Sequence, residues 1–164
     1  MNITVTYGKG FEPVRTARER VDALEQSMLS VPQSTVGIRE FFAPGLYFRE
    51  MTVKKGDVVV GAVHRAESIV VLSVGRLRLV TDDGTIEISA PHIRTCKPGT
   101  KNAAYALEDS VWTNQFDTIE TDPEKLAALL TESTLAEMVG GGENKQALHQ
   151  IELQRKESPW LGQS

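Results

Sequence analysis

Turn-forming residues recur roughly every 10–15 residues between Ile38 and Ile119, and this spacing constrains the fold more than any other feature of the chain. Short runs rich in β-branched and aromatic residues lie between the turns. Such a succession of short strands predicts an all-β sandwich or barrel. The turn sites are Pro44-Gly45, Lys54-Lys55-Gly56-Asp57, Asp82-Asp83-Gly84 and Lys97-Pro98-Gly99.

One hairpin within this region is predicted in detail. The stretch LRLVTDDGTIEIS, residues 77–89, has two alternating runs separated by a turn, with Asp83-Gly84 at the tip. An Asp-Gly pair favours the tight turns that join antiparallel strands.

Helical patterns flank the β region on both sides. Before it, an apolar stripe at helical spacing follows Pro13, and this predicts a helix packed on the domain, with a partner-binding helix as the alternative. After it, Thr121 or Asp122 caps a helix that has Pro123 just inside its start. The stripe consists of Val14, Ala17, Val21, Leu24 and Met28.

The ends of the chain complete a three-part division into residues 1–37, 38–120 and 121–164. Residues 2–7 predict a short strand in the first part, next to the helix. In the last part, Gly140–Gly142 is the expected hinge before a second helical segment at residues 143–157. The tail SPWLGQS is expected to dock either on its own domain or on a second subunit.

Composition excludes several classes of function. The chain has 164 residues and a formal net charge of −4, which disfavours binding to a nucleic-acid backbone. Its single cysteine, Cys96, forms no internal disulfide, and no segment has the pattern of a signal peptide or a membrane span. We therefore expect a cytoplasmic protein without membrane contact.

A glycine frame lies at the centre of the β region, in the stretch GDVVVGAVHRAESIVVLSVG, residues 56–75. Gly56 opens the frame, His64 takes the place of its second histidine and Gly75 closes it. A weaker second frame is anchored at Gly99 and continues to Asn102 and Ala106. In these features the chain resembles the cupin superfamily. The resemblance implies a mainly β fold, a double-stranded β-helix (jelly-roll) barrel, with an N-terminal helix and a C-terminal helical extension.

The resemblance also implies where a metal site would lie. Position by position, the family's three histidines and one glutamate correspond to Ala62, His64, Ser68 and Asn102 in this sequence. Only one of these is an imidazole, and neutral hydroxyl and amide groups are weak ligands for transition metals. We therefore expect no metal and no cofactor. His64 is interpreted as a lone wall group of a cavity, the alternative being a structural histidine.

Strand alternation predicts which side chains face that cavity. If His64 points inward, so do Ala62 and Val60, then Ser68, Val70 and Leu72, and in the second motif Asn102 and Ala104. The result is an apolar cup with a few polar groups, the usual make-up of a small-molecule site. The alternative is a barrel filled by its own side chains.

Basic residues accumulate in the same region and predict a site for a phosphate or carboxylate. Arg76 and Arg78 alternate with leucines and so share one face, while the others lie on a nearby strand and loop. The alternative is a solvated strand face. The remaining members are Arg94, Lys97 and Lys101.

These observations favour a non-catalytic barrel that binds a small molecule, anionic or nucleotide-like, or a partner protein, and that forms a homodimer. One alternative is a cupin enzyme of the isomerase, epimerase or lyase type with His64 as general acid or base. Another is an assembly protein. The chain is also faintly similar to cupin-like proteins of tailed bacteriophages, which implies a counter-defence role with a host signalling nucleotide or a host defence protein as ligand.

Overall fold

The computed structural model describes residues 16–28, 30, 34, 36–81 and 84–133. The expected strand at residues 2–7, the Gly140–Gly142 hinge, the helical segment at 143–157 and the tail fall outside the described residues. Two helices flank nine strands in the described part, as the sequence predicts. They are α1 (Ala17–Met28), β1 (Gly37–Ala43), β2 (Leu46–Val53), β3 (Val58–Val60), β4 (Ser68–Val74), β5 (Arg76–Thr81), β6 (Gly84–Ser89), β7 (His92–Cys96), β8 (Ala103–Ala106), β9 (Ser110–Asp117) and α2 (Pro123–Leu130).

The strands form two antiparallel sheets of five and four strands. The larger sheet has the order β1-β2-β9-β4-β7 and the smaller sheet has the order β3-β8-β5-β6. Without the edge strand β1, the chain crosses between two four-stranded sheets in the order of a jelly roll. The predicted mainly β jelly-roll fold is therefore confirmed by the topology.

The predicted hairpin is the β5–β6 pair. Leu77 lies opposite Ile88, Leu79 opposite Ile86 and Thr81 opposite Gly84. Leu77, Leu79 and Ile88 are buried, so this hairpin contributes one inner face to the barrel.

The core consists of two apolar clusters rather than one. The first, between the two sheets, centres on Leu72, Leu77 and Leu79, which are 0–1% exposed, and includes Trp112. The second lies at the α2 end and consists of Tyr47, Phe116, Leu126 and Leu130. Hence α2 packs directly onto the barrel.

The start of α2 follows the predicted capping chemistry. The Asp122 carboxylate accepts a hydrogen bond of 3.0 Å from the Lys125 backbone N–H, and Pro123 occupies the first helical turn. The cap satisfies one of the N–H groups that a helix start leaves unpaired.

Helix α1 is attached to the barrel by one buried residue and one buried ammonium group. Val21 is 2% exposed, and α1 lies against β5. The Lys101 Nζ atom lies 2.8 Å from the Asp22 carboxylate and 2.6 Å from that of Glu25. Burial by itself lowers the pKa of Lys101, but these hydrogen bonds outweigh it and raise the pKa above its ordinary value.

The predicted phase of the inward-facing residues is correct in two strands and wrong in one. Ser68, Val70 and Leu72 of β4 are buried, and Ala104 of β8 packs against the first cluster. In β3, Val59 rather than Val60 packs against that cluster. The error arises because β3 ends at Val60, so the alternation does not continue to His64.

Candidate functional site

The two motif segments recognised in the sequence lie side by side. The Gly61 N–H donates to the Asn102 carbonyl at 2.9 Å, and the His64 N–H donates to the Thr100 carbonyl at 3.1 Å. The Gly99 N–H donates back to the His64 carbonyl at 2.7 Å. The segment carrying Ala62 and His64 therefore runs beside the segment that carries Asn102.

His64 lies in a largely enclosed position. Its Nδ1 atom is 3.1 Å from the Ser68 hydroxyl, and its ring centroid is 5.4 Å from that of Phe116. Ser68 itself is only 3% exposed. Burial lowers the pKa of His64, so the imidazole is neutral at pH 7 and able to donate or accept a hydrogen bond.

Cys96 connects Ser68 with Asn102. It lies directly opposite Ser68 on the neighbouring strand, and the Asn102 carboxamide N–H donates to its sulfur at 3.8 Å. Burial raises the pKa of the Cys96 thiol, which therefore stays protonated and is a poor nucleophile. His64, Ser68, Cys96 and Asn102 form one polar cluster, which we call the inner cluster.

Two buried polar atoms at this cluster have no hydrogen-bond partner among the described residues. They are the Asn102 Oδ1 atom and the Arg94 Nη1 atom. Arg94 lies opposite Val70, which is 2% exposed, so the arginine faces the barrel interior. Its positive charge also acts on the Cys96 thiol. Buried polar atoms are nearly always paired, so these two atoms require a partner such as a ligand or an ordered water.

A row of mostly polar residues crosses the inner face of the larger sheet, the face on which Arg94 lies. Glu40, Arg49, Asn114, Val70 and Arg94 are successive partners across five strands, so they form one row. In register, this row lies between the Tyr47–Phe116 pair and the Met51–Trp112 pair, and its Val70 belongs to the first apolar cluster.

At the β1 end of this row, the charges balance each other. The Arg49 guanidinium lies 3.6 Å from the Glu40 carboxylate, and the Tyr47 hydroxyl donates a short hydrogen bond to the same carboxylate. Burial raises the pKa of Tyr47 above its ordinary range. Sequence reasoning missed these residues. The only signal was that Arg49 stands in phase with Tyr47 and Met51 on an alternating strand.

The end of α2 forms part of the wall beside His64. Thr131, which is 4% exposed, pairs with His64 as an isolated β-bridge, and the Arg65 N–H donates to the Leu130 carbonyl at 2.8 Å. The sequence near His64 and near Thr131 does not predict this pairing. It arises because Leu130 packs onto Phe116 and Tyr47.

The predicted basic group is not assembled as expected. Arg76 and Arg78 do share one face, but both are exposed and they pair with Glu108 and Glu87. Lys101 is engaged by the carboxylates of α1. Only Arg94 of this group faces the interior, so the structure does not bring Arg76, Arg78, Arg94 and Lys101 together at one site, and their ligand-binding roles stay predictions. The cause is the alternation of β5, which points Leu77 and Leu79 inward and the arginines outward.

The residues present do not fit a transition metal. Among the described residues, no group of three or more histidine, cysteine or acidic side chains is arranged to hold a metal ion. The positions implied by the resemblance supply one imidazole, one hydroxyl, one carboxamide and an alanine. Such a donor set lacks the thiolates, carboxylates and further imidazoles that these metals require.

The outer face of the larger sheet carries a separate apolar groove of about 420 Å³. Phe41 is 47% exposed and Ile93, further along the same face, is 68% exposed. The lining residues are Phe41, Phe48, Glu50, Val71, Thr113 and Gln115. Exposed apolar surface of this kind marks interaction surfaces.

No helix of the described chain reaches the length and apolarity needed to cross a bilayer. No protein-family model matches the sequence, and no curated protein matches it either.

Some of the solved structures that resemble the chain are described as cupins. KdgF from a Halomonas species is 19% identical, with a TM-score of 0.45 over 54% of this chain and 87% of its own. A cupin superfamily protein from Desulfitobacterium hafniense is 10% identical, with a TM-score of 0.45 over 56% and 84%. EutQ from Clostridium difficile is 14% identical, with a TM-score of 0.44 over 52% and 70%. The strand order described above independently gives the jelly-roll fold to which cupins belong.

Proposed function

We propose that this chain is a non-catalytic barrel that binds a small polar molecule at the inner cluster. The observation that carries the proposal is the pair of buried, unpartnered atoms, Asn102 Oδ1 and Arg94 Nη1, on two residues that both act on Cys96. Leaving such groups unpaired costs about 1–3 kcal/mol each, more for a charged group. A ligand that satisfies them recovers this free energy on binding.

The chemistry of the cluster favours binding over catalysis. The Cys96 thiol is held protonated by burial, and the neutral His64 imidazole has a serine hydroxyl rather than a carboxylate beside Nδ1. A general base needs a group that stabilises its protonated form. His64 therefore serves as a hydrogen-bonding wall group. The enzyme alternative, with His64 as general acid or base, requires turnover that is lost in His64→Gln without loss of ligand binding.

The first experiment is native mass spectrometry of protein purified without an affinity tag or chelator, together with metal analysis. A retained organic molecule, present in wild type and lost in Ser68→Val, is the expected result. Ser73→Val is the matched control, because Ser73 lies on the same strand but is exposed. Near-stoichiometric iron, manganese, zinc or nickel would overturn the proposal. A molecule retained equally by both variants would place the site elsewhere.

A second candidate function is assembly through the outer groove. Phe41 and Ile93 leave apolar surface exposed on one sheet face, which a second copy of the chain would cover in a homodimer. Light scattering of wild type and of Phe41→Glu distinguishes the two cases. A dimer that dissociates in Phe41→Glu supports assembly, and a monomeric wild type excludes it. A dimer is compatible with binding inside the barrel.

The cellular setting is also part of this proposal. The buried, unpaired Cys96 is compatible with a reducing cytoplasm. In a phage-encoded protein the ligand to test first is a host signalling nucleotide, and calorimetry that finds no nucleotide binding at micromolar concentrations would exclude that role.

A further inference from the structure

The two unpartnered atoms of the inner cluster are chemically complementary. Arg94 Nη1 is a charged donor that needs an acceptor, and Asn102 Oδ1 is an acceptor that needs a donor. Both residues interact with Cys96, Asn102 by a hydrogen bond to the sulfur and Arg94 through its charge. They do not bond to each other, so a molecule that satisfies both must present both an acceptor and a donor.

Arg94 differs in its charge balance from several other basic residues of the barrel. Arg49, Arg76, Arg78 and Lys101 each have a carboxylate within 4.0 Å. Among the described residues, Arg94 has no such partner. A guanidinium facing a barrel interior without a counter-charge favours an anionic occupant, and its planar fork matches a carboxylate.

We propose that the ligand is a small hydroxycarboxylate, whose carboxylate accepts hydrogen bonds from Arg94 and whose hydroxyl donates to Asn102 Oδ1. This inference rests on the proposed function and specifies its ligand class. A single negative charge matches a single guanidinium. Because burial keeps His64 neutral, the imidazole adds no second positive charge that a phosphate dianion would need.

The two unpartnered atoms, Arg94 Nη1 and Asn102 Oδ1, also exclude related classes of ligand. A plain carboxylate satisfies Arg94 and leaves Asn102 Oδ1 without a donor. A neutral polyol leaves the guanidinium without a counter-ion. An amino acid brings an ammonium group that would be buried beside Arg94, with no carboxylate from the described residues of the inner cluster to balance it.

Calorimetry with four small probes at pH 7.5 tests the inference. The probes are glycolate and glycerate, which carry both groups, propionate, which lacks the hydroxyl, and glycerol, which lacks the carboxylate. We expect the hydroxy acids to bind at least about tenfold more tightly than the other two, because glycerol forms no charged hydrogen bond with Arg94 and propionate leaves the buried Asn102 Oδ1 unpaired. Equal affinity for propionate would overturn the role of Asn102, and equal affinity for glycerol would overturn that of Arg94.

Variants assign the two contacts to their residues. Arg94→Met should weaken hydroxy-acid binding by about tenfold or more, and Asn102→Leu should remove the preference for glycerate over propionate. Arg78→Met is the matched control, because Arg78 is exposed and paired with Glu87, and it should bind as wild type does. Thermal unfolding without ligand gives a second readout. Arg94→Met should melt no lower than wild type, since it removes an unbalanced interior charge, and a large loss would show a structural role instead.

The outcomes separate this inference from the proposed function. Failure of every hydroxy acid to bind, with a different organic molecule retained in native mass spectrometry, overturns the ligand class alone. Failure to bind together with no retained molecule overturns both, and leaves ordered water as the partner of Arg94 and Asn102.

Discussion

Replacement of Gly75 by alanine should destabilise the barrel far more than the same replacement at Gly56. Both glycines have a left-handed backbone conformation, with φ of +85° and +91° respectively. A side chain in that conformation costs about 1 kcal/mol. At Gly56 nothing lies within 4 Å of an added Cβ. Strain alone therefore operates there, and we expect Gly56→Ala to lose about 1 kcal/mol.

Gly75 adds a steric term to the same strain. An added Cβ would overlap the Asp109 carbonyl and the Ser110 hydroxyl, and would lie 2.9 Å from the Ser110 Cα atom. These contacts involve backbone at the start of β9, a central strand, which cannot move aside without disturbing its ladders to β2 and β4. Overpacking of this kind costs about 1–3 kcal/mol. Together with the strain, Gly75→Ala should lose about 3 kcal/mol.

Urea unfolding at 25 °C measures both variants by the fluorescence of the buried Trp112 and by circular dichroism. Thermal unfolding gives a second measure. At about 2–4 °C per kcal/mol for a chain of this size, the melting temperature should fall by about 6–12 °C in Gly75→Ala and by about 2–4 °C in Gly56→Ala. An unchanged m-value is needed to compare the free energies of unfolding. Equal losses in the two variants would refute the close approach of β9 to Gly75.

Three further predictions concern the core, the histidine and the first helix. Leu72→Ala should lower the free energy of unfolding by about 2–5 kcal/mol, because Leu72 is 0% exposed between the two sheets, and urea unfolding measures the loss. Burial lowers the pKa of His64 in the folded protein, so the unfolded chain binds a proton at this residue more readily. The free energy of unfolding should therefore decrease as the pH falls below the unfolded pKa of about 6.5. Unfolding at pH 7.5 and pH 5 should show a smaller difference in His64→Gln than in wild type. Lys101→Met removes the contacts to Asp22 and Glu25, so hydrogen exchange of the backbone amides in α1 should accelerate about tenfold, corresponding to about 1.4 kcal/mol. Lys54→Met is the control and should leave this exchange rate unchanged, because Lys54 forms only an exposed ion pair with Asp109.

Much of the fold was predictable because turn chemistry and alternation are local properties. The Gly84 hairpin, the capped start of α2 and the inward phase of β4 each follow from residues close together in the chain. The left-handed φ values of Gly56, Gly75 and Gly99 explain why glycines recur at the positions that the motif comparison singled out. Those positions need a residue without a Cβ.

The candidate site was predictable only in part. His64, Ser68 and Asn102 do lie together, because the backbone hydrogen bonds between their segments bring the two motif regions side by side. The ligand-binding roles of His64, Ser68 and Asn102 stay predictions, as do those of Ala62 and Ala104. The error at Val60 came from extending strand alternation past the last residue of β3, where the chain leaves the ladder.

The sequence by itself determined the strands, their turns, the helices at both ends and the loss of metal-ligand chemistry at the motif positions. These depend on backbone conformation and side-chain type, which are set within a few residues. Only the tertiary structure decided that Arg94 faces the interior unbalanced while Arg49 is matched by Glu40 and Lys101 by α1. Charge pairing across strands depends on sheet order and register, and a shift of one residue would send each of these side chains to the opposite face.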